Sequence, residues 1–314
     1  MKLTELPANC LPSRVLEDDV YLIDAGGDRL ADPLYQISLE RLCEQGNPLR
    51  IRLPLDTLAS ITEREGLPGP RGLIVHTGRC GSTLLGNMLG AHPAVRMIKE
   101  AEALNQILLD RGSTAAVTAV LRAFGRGLPP GSAVVVKCTT WNILELRRML
   151  VTFPDASAVF LWRPAAEVVA SCLDVPPPWV RWRDDPGLCG TWYPGAPADL
   201  TDLAAFYGHA WRVTAAAALD AAAEFGDRMK FISYAELRAD PRRIATASAR
   251  HFALPVTPDL AACMTRHADR YSKNPSVRFD PAGAHARRQL TAAQNVVVER
   301  MTGRLEAGLA SRGG

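Results

Sequence analysis

Gly72-Leu73-Ile74-Val75-His76-Thr77-Gly78-Arg79-Cys80-Gly81-Ser82-Thr83-Leu84-Leu85 is the stretch on which the fold turns. It opens with a short apolar run and passes through two glycines. Leu84, Leu85, Met88 and Leu89 then repeat at helical spacing, so the order strand, tight turn, helix is predicted. Gly78 and Gly81 allow backbone angles and close approaches that a Cβ would obstruct. Ser82 and Thr83 add hydroxyls, and the first turn of the helix leaves N–H groups without intrahelical partners. Such a turn cradles a phosphate or sulfate group. The nucleotide-kinase signature GxxxxGK[ST] is not met, because its glycine register is missing and Gly81 is followed by Ser82 instead of lysine.

Outward from this unit the same rhythm repeats. Continuous apolar runs at 133–136 and 158–162 end at Lys137 and at Arg163-Pro164, and a further strand is predicted at 229–233, just before Tyr234. Runs of this kind suit parallel strands covered on both faces. Helical spacing at 143–151 and an alanine-rich stretch at 203–225 supply crossovers. The fold class that follows is α/β: a P-loop-like, doubly wound parallel sheet flanked by helices. Ligands in such sheets bind beyond the carboxyl ends of the strands. Arg79, Lys137, Arg163 and Tyr234 all fall at or just after strand ends, so they are expected to meet in one crevice.

The chain of 314 residues is read as a single domain, 1–314. Residues 1–70 carry only a weak pattern, with one strand expected near 20–23 and a break at Leu67-Pro68-Gly69-Pro70, and are read as a lead-in to the core. Residues 174–200 hold Pro176-Pro177-Pro178-Trp179, Trp182, Trp192 and Tyr193 with Arg181 and Arg183 among them, which suggests a proline- and aromatic-rich acceptor lid. A formal charge of +3 provides no strong field for nucleic acid. Seven scattered cysteines without CxxC spacing argue against a disulfide framework and a zinc site. With no apolar signal core at the start and no run near the roughly 18 residues a bilayer span needs, a cytoplasmic protein without membrane contact is expected. The sequence does not define an oligomeric state.

Four segments resemble the sulfotransferases that use 3′-phosphoadenosine-5′-phosphosulfate (PAPS). Thr77-Gly78-Arg79-Cys80-Gly81-Ser82-Thr83 is similar to the family's 5′-phosphosulfate loop. Arg163-Pro164 with Ser171 eight positions on is similar to its 3′-phosphate site. Ser233-Tyr234-Ala235-Glu236-Leu237, followed by Asp240-Pro241, looks like its tyrosine-x-x-leucine and aspartate-proline segment, and Tyr271-Ser272-Lys273-Asn274, with Arg278 beyond, like its late cofactor-covering loop. Ala91-His92-Pro93-Ala94-Val95-Arg96 and then Glu100 are in the manner of the protein-tyrosine and related bacterial branch.

The resemblance implies PAPS as donor, no metal, and an acceptor offering a hydroxyl or amine; because no signal or anchor segment is read, that acceptor is expected to be a small molecule and not a protein. It implies Glu100 as general base, with Glu102 as the alternative carboxylate, and Arg79 and Lys137 as the cations on the leaving phosphate. Gly78, Arg79, Cys80, Gly81, Ser82, Thr83, Arg163, Ser171, Tyr234, Ser272, Lys273 and Arg278 would bind the donor. Thr139 stands where the cytosolic small-molecule branch keeps a histidine, and Cys80 departs from the commoner loop residue. A degenerate P-loop kinase or NTP hydrolase, and an inactive nucleotide-binding module of the same fold, are the competing readings. His76 is expected to be satisfied inside its strand and His92 to sit in a helix-ending turn.

Overall fold

The computed structural model describes residues 6–196, 201–256 and 289–312. Ser272, Lys273 and Arg278 lie outside them. Residues before the glycine loop form a layer of their own: β1 (Cys10–Leu16), β2 (Asp19–Asp24), α1 (Tyr35–Gln45), β3 (Arg50–Pro54) and α2 (Leu55–Arg64). The strands make an antiparallel sheet in the order β1-β2-β3, with Val20 opposite Leu53 and Leu22 opposite Ile51. The strand expected at 20–23 is β2, but the lead-in is a folded sheet with two helices. Its first strand escaped the sequence reading because the register shifts between Pro12 and Arg14, and a bulge at a proline destroys strict alternation.

The second part runs β4 (Gly72–His76), α3 (Ser82–Gly90), β5 (Val95–Lys99), α4 (Glu102–Leu109), α5 (Thr114–Ala123), β6 (Ala133–Lys137), a 3₁₀ turn at Thr140–Glu145, α6 (Leu146–Thr152), β7 (Ser157–Trp162) and α7 (Ala165–Asp174). After a 3₁₀ turn at Pro178–Asp184 come α8 (Pro186–Trp192), α9 (Leu203–Phe225), β8 (Met229–Ser233), α10 (Tyr234–Ala239), α11 (Pro241–His251) and α12 (Ala292–Ala310). The five later strands form one parallel sheet in the order β5-β6-β4-β7-β8. β4 sits in the middle, and the chain visits β5 and β6 on one side before crossing to β7 and β8. That reversal places the loop after β4 at the sheet's switch point.

Alternate residues of the buried strands feed two cores. Ile74, Val135, Val159 and Leu161 join Leu85 and Met88 of α3 and Ile244 and Phe252 beyond β8. Leu73, Val75, Val134, Val136 and Phe160 join Trp141, Val169 and Ala215 on the other face. β5 was not predicted, because Arg96 and Lys99 interrupt its apolar run. Both are buried, and Arg96 is reconciled with the interior by donating to the carbonyls of Phe124 and Arg126 at 2.9 and 2.6 Å.

The 174–200 segment, in its described part, is largely packed. Trp182, Trp192 and Tyr193 are buried, with Trp182 and Trp192 rings 5.3 and 4.4 Å from that of Trp141. Among the described residues no helix is long and apolar enough to cross a membrane.

Candidate functional site

The loop between β4 and α3 is built from left-handed backbone. Gly78, Arg79 and Gly81 have φ of 82°, 52° and 83°. A Cβ on Gly81 would stand 2.8 Å from Leu237 Cδ2 and 3.3 Å from the Tyr234 ring, so both conformation and space demand glycine there. His76 fixes the loop's entry. Its Nδ1 accepts from the Gly78 N–H at 3.0 Å and its Nε2 lies 3.0 Å from the Cys138 carbonyl. A carbonyl cannot donate, so the proton is on Nε2 and Nδ1 is the bare nitrogen. The expectation of a satisfied histidine holds, with the added role of holding the turn.

Ser82 and Thr83 open α3 and line the cleft. Cys80 belongs to the loop by its main chain only. Its thiol donates to Leu161 O, sits fully buried, and is pushed up to about 11 by that burial. The side chain is therefore core, and a ligand would meet the backbone at this position.

Lys137 ends β6 and Lys99 ends β5, in register with it. Glu100 follows with φ of 54°, its N–H donating to the Lys137 carbonyl at 2.8 Å and its carboxylate ion-paired with the Lys137 ammonium. The Lys137 side chain is 1% exposed and that of Glu100 29%, so the carboxylate reaches the cleft over a sunken lysine. Glu102 is placed differently: it starts α4 and accepts from Gln106 Nε2 at 2.8 Å. Thr139 Oγ1 donates to Asn105 Oδ1 at 2.9 Å.

Arg163, after β7, donates to the Arg79 carbonyl at 3.2 Å, pairs with Glu167 at 2.6 Å, and holds its guanidinium 4.6 Å from the Tyr234 ring centroid. Arg79 reaches the other way and donates to Val175 O. Ser171 is buried in α7, and its neighbour Cys172 is the residue that lines the cleft.

The cleft has a volume of about 360 Å³ and brings together the loop residues 77–83, Glu100, Lys137, Arg163 and Tyr234. His92 lies in the turn that closes α3, as expected, with its Nδ1 accepting from Ala94 N–H. Sequence reasoning missed Pro33, Leu34 and Ile37, at the start of α1, and placed a whole aromatic wall where Pro177 and Trp179 alone of that segment line the space. Leu34 and Ile37 are exposed apolar side chains, a signal visible only once the N-terminal layer has been built.

Neither protein-family models nor curated proteins match the sequence. Among solved structures, a sulfotransferase from Mycobacterium avium is similar with a TM-score of 0.54 and 15% identity, over 80% of this chain and 81% of that one. A sulfotransferase from Alicyclobacillus acidocaldarius gives 0.47 and 16% over 77% of this chain and 96% of that one. A mouse sulfotransferase complexed with PAP gives 0.44 and 11% over 82% and 89%. At these identities the likeness is one of fold, carried by the first of the three: the chain has the sulfotransferase fold, a parallel α/β sheet with a glycine-bracketed loop at its switch point.

Proposed function

We propose that the protein is a PAPS-dependent sulfotransferase acting on a hydroxyl or amine of a small-molecule acceptor. One observation carries the reading: a glycine-bracketed loop, a strand-end lysine, a carboxylate and a second arginine, from four separate pieces of sequence, line one cleft. The residues fit the donor. The loop has no room for a Cβ at Gly81, its following helix offers first-turn N–H groups to an oxyanion, and Arg79 and Lys137 supply positive charge. Arg163 beside Tyr234, with Ser171 in the same helix region, is the proposed 3′-phosphate and adenine end. Ser272, Lys273 and Arg278 are proposed to cover the donor.

PAPS supplies an activated sulfonate and a bisphosphate leaving group. Arg79 and Lys137 offset the charge that develops on the departing phosphate oxygen. Glu100 takes the acceptor's proton as the new bond to sulfur forms and the S–O bond to phosphate breaks. The ion pair with Lys137 aims that carboxylate. An arriving anionic sulfonate competes for the same ammonium and leaves the carboxylate to the acceptor, so the donor is expected to bind first.

The test is a comparison of ligands. Adenosine 3′,5′-bisphosphate should raise the melting temperature of the purified protein and ATP should do so much less, because only the former carries a 3′-phosphate. Equal responses would overturn the reading.

A further inference from the structure

Part of the cleft is not accounted for by the donor. Pro33, Leu34, Ile37, Pro177 and Trp179 line it and carry no charge. Leu34 and Ile37 are 37% and 40% exposed; Leu34 caps α1 in extended backbone and Ile37 lies in its first turn, and both line the one cleft. Single exposed apolar residues need no explanation. Two together on the rim of a charged cleft mark a contact surface.

These two residues sit on a strap, 28–37, that is fastened down. Lys99 Nζ donates to Ala31 O at 3.0 Å and to Asn87 Oδ1 at 3.1 Å. Arg29 Nη2 donates to the carbonyls of Gly90 and His92, both at 2.9 Å. Asp28 and Asp32 pair with Arg41 at 3.0 and 2.9 Å. Lys99 is 2% exposed and immediately precedes Glu100, so the peg for the strap stands beside the proposed base. Arg79 ties the glycine loop to Val175, two residues before Pro177. Each apolar patch is thus anchored to a part of the reacting apparatus.

We propose that the 28–37 strap is the acceptor-selecting wall, that Lys99 is its positioning residue, and that the acceptor has an apolar body that rests on Leu34, Ile37 and Trp179. The inference rests on the sulfotransferase reading and refines it to acceptors with an apolar body. Calorimetric titration of protein saturated with adenosine 3′,5′-bisphosphate, using n-alkanols from butanol to octanol, tests it. Kd should fall by about fourfold per methylene buried.

Leu34→Glu and Ile37→Glu, both at exposed positions, should abolish the chain-length dependence while leaving the bisphosphate Kd unchanged. Lys99→Met should raise the acceptor KM with little change in the donor KM. A flat alkanol series, or one indifferent to both glutamate substitutions, overturns the inference while the parent reading stands. Failure of the bisphosphate to bind in preference to ATP sinks the parent reading instead.

Discussion

At Glu100 the main chain adopts a φ of 54°, which for a residue other than glycine costs about 1–3 kcal/mol and persists only where the surroundings impose it. Here they do: Lys137 receives the Glu100 N–H on its carbonyl and the carboxylate on its ammonium. Glu100→Gln preserves size and backbone but cannot take a proton, so transfer should fall by about 10² to 10⁴ with bisphosphate affinity intact. Initial rates with labelled donor, read beside a binding titration, check this; parallel losses in both would contradict the role. Arg163→Lys keeps the charge but loses the planar fork that reaches both the Arg79 carbonyl and the Tyr234 face, so preference for adenosine 3′,5′-bisphosphate over ATP should shrink by about tenfold. Gly81→Ala forces a Cβ to within 2.8 Å of Leu237 at a φ of 83° and should destabilise the fold by about 1–3 kcal/mol, measured by urea unfolding.

Arg126 joins elements that are far apart in sequence. Its guanidinium, 1% exposed, pairs with Glu65 at 2.8 Å and donates to the carbonyls of Pro7 and Cys10 at 3.1 and 3.2 Å, pinning β1 and the end of α2 to the chain between α5 and β6. Arg126→Met leaves those carbonyls and the carboxylate without their donor, and should cost about 3–5 kcal/mol by urea unfolding; a loss under 1 kcal/mol would contradict the staple. The parallel half was legible in the sequence because β4, β6 and β7 are covered on both faces and read as unbroken apolar runs. β5 was not, since its two charged residues are satisfied by distant carbonyls that only the tertiary structure supplies. The strand-end residues of the candidate site were legible for the same reason as the strands. Leu34 and Ile37 were not, because their position over the cleft depends on an antiparallel layer whose first strand is bulged. The tryptophans of 174–200 misled, as composition suggested a wall and packing against Trp141 took most of them into the core.

Over the whole molecule, buried thiols and phenols weaken the fold at alkaline pH. Burial pushes Cys10 and Cys80 up to about 11 and Cys138 up to about 12, from an ordinary 9.0. Above pH 9 the unfolded chain sheds these protons while the folded chain keeps them, so stability falls as pH rises toward the folded values. Lys99, lowered to about 8 from 10.5 chiefly by burial and then by Lys137, acts in the opposite sense, because the unfolded chain holds that proton longer. The three thiols outweigh the one amine, and Cys189 and the Tyr35, Tyr193 and Tyr207 phenols, also raised by burial, act in the same direction as the thiols. The urea midpoint under reducing conditions should therefore drop between pH 9 and pH 10.5, less steeply in Cys138→Ala; a flat or rising midpoint would contradict this. The antiparallel N-terminal layer carries the strap with Leu34 and Ile37, while the glycine loop, Arg79 and Arg163 belong to the parallel half. On the proposed reading, acceptor choice and transfer would thus be housed in separate layers, so transplanting a different strap at 28–37 should change which acceptors bind while bisphosphate affinity stays the same.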